Sequence, residues 1–445
     1  GGILALAGVA FATTGPAAIV AFVLNGLIAM LTALSFAEMS SKFTESGGTY
    51  TFSKKVLSVE AAFTVGWVVW FASIVAAVLY AVGFAYFSMV MVTDLWSVGG
   101  KPPNWLTGSS TVTAVAVATT VVLSIGLMRR AAGGGQLVNI GKVAVFGVLI
   151  LGGVWGLTRH STAEVGANFQ PFFAAGLGGL IQAMGYTFIA LQGFDLIAAV
   201  GGEVREPERN IPRAMIFSLG IALAIYVPLL FVITAVGTPD GQNIASAAAE
   251  DREGIVAIAA QNYLGPFGYW LVIVAAVLSM FSALQANLFA ASRIAFSMAR
   301  DRNLPSPLGM LNANHGTPMI AVAATAAVVI VILVVLPDVA AAGAAASLIF
   351  LITFALAHWI TILVRQRSGH RPPPFCTPLF PVVPTVGGLA CVGLAVFQGI
   401  AVPAAGIIAV IWLGTGAILF LALFARRARV MDASMTALNL SLIHI

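Results

Sequence analysis

Charge is what this sequence has least of. Only 8% of its 445 residues are Asp, Glu, Lys or Arg, against 60% hydrophobic ones, and the mean hydropathy is +1.01. A soluble domain carries roughly a quarter charged residues, so an ordinary water-facing surface is excluded. Cysteine is nearly missing too. Cys376 and Cys391 have no metal-ligand spacing and no partner pattern, which reads them as structural or incidental thiols. Histidine is sparse: His160, His315 and His370 lie in loops, and His358 sits inside an apolar run as a packed, hydrogen-bonded residue. No His-Glu-x-x-His, Gly-x-Ser-x-Gly or paired Asp motif is present, so nothing supports a membrane enzyme. Gly133-Gly134-Gly135 followed by Gly141-Lys142 suggests a phosphate loop, but the spacing is wrong and Val143 stands where Ser or Thr is required. No pattern calls for a cofactor, a metal or a nucleic-acid partner.

What the chain does have is long apolar runs. Between Pro16 and Arg426 it repeatedly continues for about 18–25 residues with one ionisable group or none. Roughly 20 helical residues cross the ~30 Å hydrocarbon core of a bilayer. Runs this long, without alternation, fit helices and not barrel strands. The expectation is an all-α polytopic membrane protein with twelve spans, near 1–13, 16–36, 61–91, 111–128, 138–157, 176–198, 214–237, 268–298, 317–336, 341–364, 380–401 and 403–425. The third and eighth exceed the bilayer and must tilt or project.

The basic residues orient these spans. With the start of the chain in the cytoplasm, Lys101, Arg159 and Arg252 fall outside and the other eighteen of the 21 Lys and Arg fall inside, as the positive-inside rule demands. The net charge of +5 thus reflects topology. Trp96, Trp105 and the run from Phe169 to Phe173 suit an outer interfacial belt. A single transmembrane domain over 1–429 is expected, in the plasma membrane of a bacterium, with a tail at 430–445. The apolar start reads as the interior of a helix that begins before Gly1, and residues 440–445 read as non-native. Nothing in the sequence assigns an oligomeric state.

The informative residues interrupt apolar helices. At membrane depth, non-helical backbone survives only where it lines a cavity or is buried in protein. Freed N–H groups can hold an anion and freed carbonyls a cation, and a zwitterionic amino acid needs both. One candidate is Gly1-Gly2 before Ile3, whose amides would meet a carboxylate. The other is Phe188-Ile189-Ala190-Leu191-Gln192-Gly193-Phe194-Asp195, where the carbonyls of Phe188 to Leu191 would take an ammonium group. Each has a plainer reading: close helix packing on small residues, and a helix cap for Asp195, with Glu203 and Arg205 close behind. Residue chemistry leaves the two level.

Five separated stretches add to this. They are Gly2-Ile3; Ala37-Glu38 with Glu45-Ser46-Gly47-Gly48-Thr49-Tyr50; Phe188 to Asp195; Glu203 to Arg213; and Ser292-Arg293 with Met298-Ala299-Arg300-Asp301, Leu304-Pro305 and Gly316-Thr317-Pro318. In this order and spacing the chain resembles the amino acid–polyamine–organocation superfamily, near its cationic amino acid transporter and proton-coupled permease branches. Thr44 departs from the proline usual in relatives, and the first glycine of the family's opening motif would lie before Gly1.

The resemblance implies a LeuT-type fold, with inverted repeats over 1–157 and 176–364 and two further helices at 380–425. Substrate would sit at mid-membrane between helices one and six, against Gly1, Gly2, Ile3, Phe188, Ile189, Ala190, Leu191, Gly193 and Asp195. Lys142, near the inner end of span five, has a plain reading as a snorkelling base. The resemblance gives it the place a sodium ion holds elsewhere and so a part in proton coupling, with Ser279 and Ser282 as neighbours. Arg293 and Glu38, at inner helix ends, read either as parts of a cytoplasmic gate or as interfacial anchors, with anchoring preferred. The implied function is secondary active amino acid transport by alternating access, coupled to protons. Alternatives are an amino acid or polyamine exchanger without proton coupling, and, in another class, a transport-inactive sensor or passive channel. The partners are then an amino acid, protons and the lipid bilayer. For a cationic side chain Asp195 is the one intramembrane acid in reach; a neutral substrate is an equal expectation.

Overall fold

Among the described residues each expected span is helical, the sixth with an interruption; the computed structural model describes residues 2–44, 48–97, 101, 103–129, 136–199, 204–239, 241–335, 338–367 and 373–422. The first two spans are α1 (Gly2–Thr14) and α2 (Ala18–Lys42), joined by a turn at Gly15-Pro16. A short α3 (Gly48–Val56) precedes the long α4 (Val59–Ser97), and α5 (Ser109–Arg129) and α6 (Gln136–Leu157) follow. After α7 (Thr162–Asn168) the sixth span divides into α8 (Gly176–Thr187), a 3-10 turn at Phe188–Leu191, and α9 (Leu196–Ala199). Then come α10 (Pro207–Val236), α11 (Ile244–Glu250), α12 (Ile255–Leu264), α13 (Pro266–Arg300), α14 (Met319–Val335), α15 (Val339–Arg367), α16 (Val382–Ala401) and α17 (Pro403–Ala422). Among the described residues ten stretches are long and apolar enough to cross a membrane, with Gly2–Lys42 taken as one stretch and α14 slightly shorter.

The sequence reading omitted the short helices α3, α7, α11 and α12, because a search for 20-residue runs passes over them. Two carry legible start signals. Ser161 and Glu164 form a reciprocal capping box at α7, and Asn243 and Ser246 do the same at α11.

The centre of the bundle is α4. Its 39 residues would extend about 58 Å, and 94% of its most apolar window is buried. Lipid tails are as apolar as leucine, so burial there reflects close packing and not expulsion from water. Glycine supplies that closeness. A Cβ on Gly66 would lie 2.8 Å from the Met298 sulfur, and one on Gly83 3.1 Å from that of Met280. Rising numbers on α4 thus meet falling numbers on α13, and the two helices are antiparallel.

Polar contacts sort the connections into two ends. At one, Arg365 grips Glu38 through Nε and Nη2 at 2.8 and 2.7 Å, and the Thr377 amide donates to the same carboxylate at 2.8 Å. Lys54 and the Tyr50 hydroxyl both reach Asp301, at 3.1 and 2.9 Å. Burial and the neighbouring Asp301 carboxylate push the Tyr50 phenol above its usual range. Arg367 donates to the Val56 carbonyl, which joins the two groups. At the other end Tyr86 donates to Asp251 and Tyr269 to Asp94, at 3.1 and 2.6 Å. Trp96 and Trp105 are exposed on segments of that end.

Glu38 is 1% exposed. Removing its partner strands a buried carboxylate, a change that costs about 3–5 kcal/mol. Arg365→Ala is therefore expected to lower the thermal unfolding midpoint of detergent-purified protein clearly, with Arg365→Lys recovering part of the loss. An unchanged midpoint in Arg365→Ala would contradict the pairing.

Candidate functional site

The sixth span is where the helical ladder fails. Thr187 closes α8, Phe188–Leu191 turn as a 3-10 helix, and Gln192 is extended at ψ 153°. Gly193 then takes φ +131°, a conformation L side chains avoid. A Cβ there would touch nothing within 4 Å. Its need for glycine is conformational, not steric. Below it, Asp195 Oδ1 accepts from the Gly193 amide at 3.1 Å and the Gln192 side chain at 3.3 Å. The carboxylate braces the turn from inside its own segment, a role close to the capping one.

A helix broken in lipid leaves backbone groups that must find partners. Here they come from three neighbouring helices. Asn25 on α2 donates to the Met184 carbonyl at 2.9 Å and to the Thr187 hydroxyl at 3.2 Å. Ser347 on α15 accepts from the Ile189 amide at 3.0 Å and donates to the Tyr186 carbonyl at 3.3 Å. Tyr226 on α10 donates to the Ala190 carbonyl at 3.3 Å. Asn25, Ser347 and Tyr226 were not singled out from the sequence. The signal was there in Asn25, a lone amide in the apolar run Val23-Leu24-Asn25-Gly26-Leu27, since such residues mark function or helix contact.

The start of α1 lies against this break. A Cβ on Gly2 would come within 2.9 Å of the Ala190 Cα, so only glycine lets the two backbones approach this closely. Ile3, Phe188, Ile189, Ala190 and Leu191 are all buried. Gly1 and Glu203 fall outside the described residues. On the α10 side a cavity of about 240 Å³ is lined by residues 190–194 and Ile197, with Ser218, Leu219, Ala222 and Tyr226 opposite. Beneath the break, Phe354 packs edge-on or tilted against Phe36, Phe188, Phe194 and Phe350, with ring centroids 5.4–5.9 Å apart.

Lys142 belongs to another part of the bundle. It is half-buried near the start of α6, which packs on α10, α12 and α13. Ser282 is half-buried on α13, while Ser279 is buried there with a hydroxyl that has no partner. Arg293 stacks over Phe289 at 4.7 Å. His358 is buried between Thr32 and Ser35, with ring nitrogens 3.1 and 2.9 Å from their hydroxyls. Thr32 spends its own proton on the Ile28 carbonyl, so it accepts from Nε2–H and leaves Nδ1 to accept from Ser35. Cys376 and Cys391 are both free thiols. Among the described residues no group of His, Cys, Asp or Glu could hold a metal ion.

A multi-pass helical protein with a broken helix braced by polar side chains from its neighbours has the form of a transporter. Residues 1–427 match the amino acid permease family model, and the chain belongs to the amino acid permease family, within the superfamily its motifs resemble. It is similar to three proteins of Bacillus subtilis. The branched-chain amino acid permease BcaP is 26% identical, over 89% of this chain and 84% of that protein. The serine/threonine exchanger SteT is 25% identical, over 82% and 79%. A methylthioribose transporter is also 25% identical, over 88% and 83%. These relatives are permeases and transporters, not enzymes.

The approach of Gly2 to Ala190 gives a direct test. Gly2→Val would force α1 off the break, a strain of about 1–3 kcal/mol. The variant is expected to insert in the membrane at near-normal level yet lose most uptake, measured against wild type in the same vesicles. Full uptake by Gly2→Val would contradict the close approach.

Proposed function

We propose that this permease moves neutral α-amino acids across a bacterial plasma membrane by alternating access, driven by an inward proton gradient, with its N-terminus in the cytoplasm. The observation that carries the reading is the break at Phe188 to Gly193 with the start of α1 against it. The family resemblance sets a break in the first helix at Gly1-Gly2, and we assign the amides of Gly1, Gly2 and Ile3 to the substrate carboxylate. The carbonyls of Phe188 to Leu191 offer the complementary pole for an ammonium group. Substrate bound across both segments would couple them, so that they tilt together against the packed α4–α13 pair.

A neutral side chain fits the lining best. Ala190, Leu191, Phe194, Ile197, Leu219 and Ala222 give the cavity mostly apolar walls, and Asp195 already accepts from Gln192 and Gly193. The names of two relatives, for branched-chain amino acids and for serine and threonine, agree with a neutral substrate. For coupling we assign the proton to Lys142, with Ser282 as a neighbour on α13. The family resemblance gives this lysine the place a sodium ion holds in relatives, and the proton on its amine would stand for that ion. Exchange without net proton movement is the second reading, favoured by the resemblance to a serine/threonine exchanger.

Uptake into proteoliposomes decides between them. Leucine, serine, arginine and glutamate would be supplied with and without an inward proton gradient, beside a Lys142→Ala variant. Saturable, gradient-driven uptake of leucine or serine, with its pH dependence lost in the variant, is expected. Uptake that needs preloaded amino acid and ignores the gradient would establish the exchanger and remove the role given to Lys142. Preference for arginine would overturn the neutral-substrate assignment.

A further inference from the structure

The break has a feature that helix geometry alone does not supply. In a 3-10 turn the amide of residue 189 would bond directly to the carbonyl of residue 186. Here the Ser347 hydroxyl reaches both groups, 3.0 Å from the Ile189 nitrogen and 3.3 Å from the Tyr186 oxygen. One side chain from α15 thus contacts both backbone groups that such a bond would join. Ser347 is wholly buried, so no water competes for either contact. One turn earlier Asn25, also wholly buried, holds the Met184 carbonyl, which the Phe188 amide shares. It holds the Thr187 hydroxyl as well, and that hydroxyl donates back to Ala183.

We propose that Ser347 and Asn25 are positioning residues for transport. Ser347 is a wedge that keeps the 186–189 turn open, and Asn25 is a clamp that stops α8 in register. Together they shape the substrate-binding backbone before substrate arrives. The proposal rests on the reading of residues 188–191 as the ammonium subsite. Neither side chain need touch the substrate. Their effect is on how much ordering the substrate must supply on binding: a preformed turn binds tightly, and an unfixed one must be fixed at the expense of affinity. Loss of such an interaction acts equally on bound substrate and transition state, so it raises the half-saturation constant and leaves the maximal rate nearly unchanged. A merely structural hydrogen bond would instead lower the amount of folded protein, with no change in half-saturation of what remains.

The experiment pairs Ser347→Ala with Ser347→Thr, which keeps the hydroxyl, and adds Asn25→Ala. Leucine uptake is measured per folded transporter in proteoliposomes, and amide hydrogen exchange over residues 184–192 is followed in the same preparations. Loss of one buried hydrogen bond corresponds to about a three- to tenfold change. The expected result is a half-saturation constant raised by about that factor in Ser347→Ala and Asn25→Ala, with maximal rate within about twofold of wild type. Exchange at residue 189 should quicken by a similar factor in Ser347→Ala, and Ser347→Thr should behave as wild type. Unchanged exchange in Ser347→Ala overturns the wedge whether or not the protein carries leucine. Faster exchange with an unchanged half-saturation constant overturns the role in transport while the transporter reading stands. Equal failure of Ser347→Thr and Ser347→Ala would show that packing, not the hydroxyl, sets the turn. If wild type takes up none of the amino acids offered, the functional reading fails, and with it the transport role of both residues.

Discussion

Every backbone N–H and C=O that leaves a helix inside lipid must find another partner, and this one constraint shapes the protein. Most of the chain obeys it in the simplest way, by staying helical from one end of the bundle to the other. The sixth span does not, and the structure around it is organised to meet the need. Ser347 and Tyr226 arrive from α15 and α10 to meet backbone groups of Tyr186, Ile189 and Ala190, Asn25 of α2 holds the last turn of α8 at Met184 and Thr187, and Asp195 turns back onto Gly193. A break served from three sides cannot be a local accident of Gly193, since three separate helices carry polar residues aimed at it.

The same logic continues along α15. From Ser347 at the break this helix carries His358, Thr361 and Arg365 along its contact with α2. There they meet Thr32, Ser35 and Glu38 in a seam that runs to the end of the bundle. Its members are matched donor to acceptor, down to the tautomer that Thr32 imposes on His358. Gly387 on α16 leaves room for the imidazole, because a Cβ there would lie 2.4 Å from its Cε1. A seam of this kind fixes the rotation of α15, and so the position at which Ser347 enters the break. The ion pair at Glu38 is thereby linked mechanically to the geometry of residues 186–189, about five turns of α15 away, counted from Ser347 to Arg365.

The spans were legible because length and hydropathy are sufficient to mark a helix that crosses lipid. The pairing of α1 with the broken span came from the family resemblance, with which the glycine interruptions at Gly2 and Gly193 agree. Asp195 stood level between two readings, since a carboxylate in an apolar run looks the same whether it faces a ligand or closes its own turn. Contact partners were not legible. Asn25 and Ser347 are 322 positions apart in the chain, and nothing local to either says that both meet the same break. The capping boxes at Ser161 and Asn243 were readable but fell outside a search tuned to long apolar runs.

The central claim is that the break facing α1 is where an amino acid binds. It is tested most directly by substrate protection of a cysteine placed at the break. In a Cys376→Ala background, which removes the exposed native thiol and leaves buried Cys391, an Ala190→Cys variant is labelled with a small permeant maleimide as leucine is increased. The account predicts that labelling slows saturably, with a half-maximal concentration matching that for uptake by the same variant. Labelling indifferent to leucine, in a variant that still takes leucine up, would place the substrate elsewhere and contradict the account.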